Sequence, residues 1–228
     1  MRTLRSVPAM AGAICRVLPG IGLAFMLSTQ PALASWFSSA PRPATMQAEG
    51  NPHQGPRAYH QMCAREPKLC MYDRQAGIDA VISPPAQLTD ARWRQLRQIN
   101  EDLNWQIRPV EDRHNQGVSD FWTIGVSRGD CEDYIIAKKH ALIQAGWAPD
   151  QLLYAVVESR RTRGYHAVLV VRTNKGDYVL DNLTDRIVPW EDAGYRFVIR
   201  QSAAAPQKWV QVTGALRTAQ GNVGIIAQ

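Results

Sequence analysis

Gly129-Asp130-Cys131-Glu132-Asp133-Tyr134-Ile135-Ile136-Ala137-Lys138 is the stretch on which the reading of this chain turns. It begins a helix, which Asp130 opens, Ala141 and Leu142 continue, and Gly146 stops. Cys131 therefore lies in a first helical turn, where unpaired amides and the helix dipole favour a thiolate. Asp130, Glu132 and Asp133 oppose that effect, because carboxylates beside a thiol raise its pKa unless something positive neutralises them. A bound cation would do so.

Downstream of this helix the periodicity changes. Leu152 to Ser159, Tyr165 to Thr173 and Asp177 to Asp181 are rich in Val, Leu and Tyr, and Gly164 and Asn174-Lys175-Gly176 separate them. Tyr195 to Arg200 and Trp209 to Val212 add two more strand candidates. Taking Thr173 to Gly176 as a four-residue loop pairs Arg172 with Asp177 and places Asp181 opposite Val168. His166 and Asp181 then become diagonal neighbours on one face, with alpha carbons roughly 7 to 8 Å apart. A carboxylate on one imidazole nitrogen fixes the tautomer and frees the other nitrogen to take a proton from a thiol. A loop of three or five residues would put the two side chains on opposite faces.

Upstream, Thr89 precedes a helical pattern in which Trp93, Leu96, Ile99, Leu103 and Ile107 recur at spacings of three and four. Glu111 to Trp122 is polar and irregular and reads as a loop approaching the site. Arg57 to Arg65 predicts a short helix, and Cys63 and Cys70 are close enough to bridge a short loop in an oxidising compartment, leaving Cys131 unpaired. Helices first and an antiparallel sheet afterwards is an α+β order, with N-terminal helices packed on the sheet.

The first 34 residues differ from the rest. Arg2, Arg5 and Arg16 precede an uncharged apolar run from Val17 to Leu27, and Ala32-Leu33-Ala34 closes the segment as a small-x-small cleavage site. The expectation is a signal peptide over 1–34 cleaved after Ala34, a flexible leader over 35–55, and one domain over 56–228. The apolar run is short for a bilayer span, which needs about 20 residues. Loss of the three leader arginines takes the formal charge from +6 to +3. No run of Lys and Arg interleaved with aromatics remains, so nucleic acid is not an expected partner. No pair of His or Cys ligands has a zinc-site spacing.

Cys131, His166 and Asp181, in that order, resemble the transglutaminase-like, papain-like superfamily. Gly129 to Tyr134 with Ala137-Lys138, Gly164-Tyr165-His166-Ala167-Val168-Leu169-Val170, Val179-Leu180-Asp181-Asn182, and the lead-in Asp120-Phe121-Trp122 resemble the bacterial transglutaminase-like cysteine proteinase family. The resemblance implies a periplasmic, calcium-dependent endopeptidase with Cys131 as nucleophile, His166 as base and Asp181 as its orienting residue. It also implies calcium on Asp130 and Glu132, a large surface adhesin as protein substrate, and an inner-membrane cyclic-dinucleotide receptor as regulator. The N-terminal part carrying Cys63 and Cys70 does not map onto that family's adhesin protease. Two other readings keep the same residues: acyl transfer to an amine, as in true transglutaminases, and a non-catalytic calcium-binding scaffold.

Overall fold

The structure is a computed structural model that describes residues 45–212 apart from 47, 79–81 and 125–126. The expected signal peptide over 1–34 lies outside the described residues, as does the leader up to 44. From 45 the chain forms β1 (Ala48–His53), α1 (Arg57–Arg65), a 3-10 turn (Pro67–Cys70) and α2 (Met71–Ile78). There follow α3 (Asp90–Gln106), β2 (Arg108–Pro109), α4 (Asp112–Asn115), β3 (Arg128–Gly129) and α5 (Cys131–Gln144). The remainder supplies β4 (Leu152–Ser159), β5 (Gly164–Thr173), β6 (Gly176–Leu180), β7 (Val188–Pro189), β8 (Arg196–Gln201) and β9 (Trp209–Val212).

Seven strands make one antiparallel sheet in the order β1-β9-β8-β4-β5-β6-β7, and β2 pairs with β3 in parallel. Alternation gives the sheet two apolar faces. Ala167, Leu169 and Val171 join a core with Leu96 of α3 and Ile135, Ile136 and Leu142 of α5. Val168 and Val170 join Leu153, Val157, Val179 and Phe197 on the other side. The helices thus cover one face of the sheet, as the α+β order predicts. Among the described residues no helix is long and apolar enough to cross a membrane.

α3 starts where the pattern predicts, with the Thr89 hydroxyl accepting from the Arg92 amide at 3.2 Å. The β5–β6 hairpin has the expected register, Arg172 opposite Asp177, but its loop is shorter. Thr173 also pairs with Gly176, so only Asn174 and Lys175 turn the chain. The register survives because shortening a loop by one residue at each end leaves every other pair in place. The bridge between Cys63 and Cys70 is present, with alpha carbons 5.5 Å apart.

The leader expected over 35–55 needs correction at its end. Ala48–His53 is a strand on β9, and just before it Met46 is buried while its amide donates to Asp177 Oδ2 at 2.9 Å. Ala, Glu, Gly, Asn, Pro and His make a poor strand by composition, and this segment is ordered by pairing at the sheet edge instead. Beyond it Gly55 turns with φ +74°, its Cα pressed against the Trp209 indole, where a Cβ would collide with the ring.

Candidate active site

A cavity of about 570 Å³ opens between the start of α5 and the sheet, lined by Cys131, His166, Ala167, Trp122, Asp120 and the turn at Gly55-Pro56, among others. Cys131 is the free cysteine among the described residues and the first residue of α5. Its placement follows from the sequence, because the extended Asp130 ends β3's approach and turns directly into the helix.

His166 sits near the start of β5 and Asp181 one residue beyond β6. Both are buried, and His166 Nε2 lies 2.8 Å from Asp181 Oδ1. That is the diagonal pairing expected from the register. Asp181 Oδ1 also accepts from the Leu183 amide at 3.1 Å, and its Oδ2 accepts from the Tyr195 hydroxyl at 2.5 Å. Burial pushes the Asp181 carboxyl up, but the hydrogen bond and charge of His166, with the Tyr195 and Leu183 donors, outweigh it and hold the group below its ordinary value. Asp181 is therefore a carboxylate, and the facing ring nitrogen Nε2 must donate. Nδ1 is left to act as the acceptor.

The thiol's surroundings are less favourable. Burial raises the Cys131 pKa well above its ordinary value, and the charge and hydrogen bond of Glu132 raise it further, against the lowering influence of the Ala167 backbone amide. Cys131 Sγ donates to Glu132 Oε2 at 3.1 Å. Asp130, also expected to oppose the thiolate, contributes a smaller rise.

Asp130 and Glu132, the residues expected to hold a cation, lie side by side, and the structure adds a residue that sequence reading missed. Asp112, from the stretch read as loop, reaches the same point, and one carboxylate oxygen from each of the three lies within 4.8 Å of the others. The parallel pairing of Arg108-Pro109 with Arg128-Gly129 brings the two segments side by side, and the Asp112 amide donates to Asp130 Oδ2 at 3.1 Å. Burial, then the charge of Asp130, raises Asp112 above its ordinary value and pushes Glu132 up to about 10. Burial raises Asp120 too.

Whether these residues suit a cation can be judged from their spare valences. Asp112 Oδ1, Asp130 Oδ1 and Asp133 Oδ2 are buried and find no hydrogen-bond partner among the described residues. Such orphan acceptors are unfavourable in a protein interior unless something positive meets them. Oxygens on one calcium ion lie about 2.3 to 2.6 Å from it, so neighbours about 4.8 Å apart or closer can share an ion. Asp112, Asp130 and Glu132 fit a hard divalent cation. Asp133 faces elsewhere, with its Oδ1 accepting from the Thr123 amide at 3.0 Å.

α1 supports the rim of the cavity. Arg65 donates to the Trp122 carbonyl at 2.7 Å and stacks 3.8 Å from the Phe121 ring, and Thr123 donates to Glu66 at 3.2 Å. The bridged N-terminal segment thus holds the loop that carries Asp120 and Trp122. On α5 itself the Lys138 ammonium is fully buried with no hydrogen-bond partner among the described residues, and burial lowers its pKa to about 7 despite the nearby charges of Asp181 and Asp185.

No curated protein matches the chain. Among solved structures, calcium-bound LapG of Legionella pneumophila is 21% identical, with a TM-score of 0.46 over 67% of this chain and 84% of that one. The EGTA-treated form of Legionella pneumophila LapG is 23% identical, with a TM-score of 0.42 over 58% of this chain and 72% of that one. A family model described as bacterial transglutaminase-like cysteine proteinase matches residues 49–216, which take in the whole cavity. The chain belongs to the bacterial transglutaminase-like cysteine proteinases.

Proposed function

We propose that this cysteine proteinase is an exported, calcium-dependent endopeptidase in which Cys131 is the nucleophile, His166 the base and Asp181 the residue that orients the histidine. The observation that carries the reading is the buried 2.8 Å pair of His166 and Asp181 in the same cavity as the free thiol of Cys131. In that arrangement Asp181 holds the Nε2 proton, and Nδ1 takes the proton of Cys131 as sulfur attacks a peptide carbonyl. The histidine then returns that proton to the leaving amine, and water releases the acyl group from the thioester. Backbone amides at the start of α5 are suited to hold the oxyanion.

Asp112, Asp130 and Glu132 are the residues that would hold calcium. Bound there, the ion would supply the positive charge that the thiolate lacks and engage the carboxylate that now accepts the thiol's hydrogen bond. The bridge between Cys63 and Cys70 favours an oxidising compartment, in keeping with the leader read over 1–34 and a periplasmic location. The substrate we propose is a cell-surface or envelope protein such as a large adhesin, with an inner-membrane cyclic-dinucleotide receptor as the regulator; both rest on the family resemblance.

The test is incubation of the protein with envelope proteins of the same cell, in calcium, followed by N-terminal sequencing of any fragment. Cys131→Ser is expected to abolish cleavage while the melting temperature stays unchanged. Cleavage retained by a pure, folded Cys131→Ser sample would remove Cys131 from the mechanism.

A further inference from the structure

Asp181 can orient His166 only if something orients Asp181. Among the described residues, three donors meet its carboxylate. His166 and the Leu183 amide share Oδ1, and the Tyr195 hydroxyl alone takes Oδ2, at 2.5 Å. Without the Tyr195 bond the carboxylate could rotate about its last torsion and exchange oxygens, since such sp² ends have broad, two-fold wells. The Tyr195 ring is fixed as well. It is 9% exposed, packs with Val157, Val168 and Phe197 in the core under the sheet, and lies against the His166 imidazole with centroids 5.6 Å apart.

Burial, then the hydrogen bond and charge of Asp181, push the Tyr195 phenol above its ordinary value, so the hydroxyl remains a donor at any working pH. The backbone around it is braced separately. Gly194 turns with φ +73° just before Tyr195, and Arg161 from the β4–β5 turn donates to the Leu183 carbonyl at 3.3 Å. One aromatic side chain therefore touches both members of the buried pair, the acid through its hydroxyl and the base through its ring.

We propose that Tyr195 is a positioning residue that locks the Asp181 carboxylate with Oδ1 toward His166, and through it holds the imidazole tautomer whose Nδ1 is free for the thiol. The inference rests on the assignment of His166 and Asp181 given above, and its test is chosen to be independent of any peptide substrate. The readouts are the rate at which iodoacetamide alkylates the Cys131 peptide at neutral pH in calcium, followed by mass spectrometry, and the proton resonance of the His166 Nε2–H.

Tyr195→Phe keeps the ring and removes the donor. It is expected to slow alkylation about tenfold, the equivalent of one hydrogen bond to a charged group, and to shift or broaden the Nε2–H resonance. In an Asp181→Asn background the same substitution is expected to change neither readout further, because Tyr195 acts only through Asp181. Tyr195→Phe with a wild-type alkylation rate and an unmoved resonance would overturn the proposal, as would an equal slowing in both backgrounds. Folding of each variant is checked by its melting temperature, and Tyr195→Trp, which restores a ring N–H donor, provides a second variant if Phe unfolds the protein. If no envelope protein is cleaved but alkylation still depends on Tyr195 and Asp181 together, the positioning role stands and the endopeptidase reading alone falls.

Discussion

Two buried charge clusters lie on the single helix α5, one at its start and one about two turns further on, and they are built in opposite ways. In the second, Lys139 donates to Asp73 Oδ1 at 2.6 Å and to Gln201 Oε1 at 3.0 Å. Gln201 Nε2 and the Tyr59 hydroxyl complete the Asp73 carboxylate at Oδ2, at 2.9 and 3.0 Å, and the Tyr154 amide donates to Gln201. Every charge there is answered within the chain. In the first, Asp112, Asp130 and Glu132 crowd together, with orphan oxygens on Asp112 and Asp130 and, among the described residues, no basic side chain hydrogen-bonded to them. A satisfied network fastens α2, α5 and β8 to one another; an unsatisfied one of a single sign is a request for a cation. On the proposed reading, the contrast separates burial that serves the fold from burial that serves the chemistry.

The largest effect should come from breaking the satisfied cluster. Lys139→Met leaves Asp73 buried without its counter-charge and is expected to lower stability by about 3 to 5 kcal/mol in a urea titration. Replacing both partners, as in Lys139→Met with Asp73→Leu, should recover part of that loss, since a buried pair replaced by apolar groups is often near neutral. A Lys139→Met protein as stable as the parent would show that the two clusters are not different in kind.

Calcium should act on the other cluster alone. At a hundredfold excess over its Kd the ion is expected to add about 2.7 kcal/mol, read as a rise in melting temperature that EDTA reverses. Asp112→Asn and Glu132→Gln should each weaken that response, and magnesium should substitute poorly because it demands stricter octahedral geometry. The Asp112 variant is the sharper of the two, for no reading of the motif around Cys131 includes that residue. A melting temperature indifferent to calcium and EDTA would mean that the carboxylates are not a cation site.

The last effect expected is a slope with pH. Burial first, with Asp130 adding to it, pushes Asp133 from an ordinary 3.8 to about 7 and Glu132 from 4.5 to about 10. The folded state then binds more protons than the unfolded chain above about pH 4, so stability falls as pH rises toward 7. Lys138, lowered to about 7 from 10.5, is charged in both states below that pH and adds no slope there. In EDTA the melting temperature should therefore decline from pH 5 to pH 7, and calcium should remove the decline because it binds the ionised carboxylates. A rise over the same range in EDTA would contradict the raised values.

Local pattern made much of this legible. The start of α5 follows from Asp130 and the apolar run after Cys131, and the pairing of His166 with Asp181 follows from a hairpin whose register is set by the turn at Asn174-Lys175. Asp112 was not legible, since only the two-residue pairing of Arg108-Pro109 with Arg128-Gly129 carries it to Asp130 across 18 positions. Its one signal was an acid in a polar stretch leading toward the site. Lys139 with Asp73 and Tyr195 with Asp181 are likewise tertiary meetings, 66 and 14 residues apart, that no periodicity encodes. β1 was missed because its pairing, rather than its composition, makes it a strand.

The thiol rides on a helix and the histidine on a sheet, and the cavity between them is the seam where these two layers meet. Neither layer holds a complete site alone. On the roles proposed for Cys131 and His166, peptidase activity is accordingly a proximity sensor for the docking of α5 on β5. A loosened state that keeps its helices and strands but lets the layers slide apart would fall silent before circular dichroism registered any change.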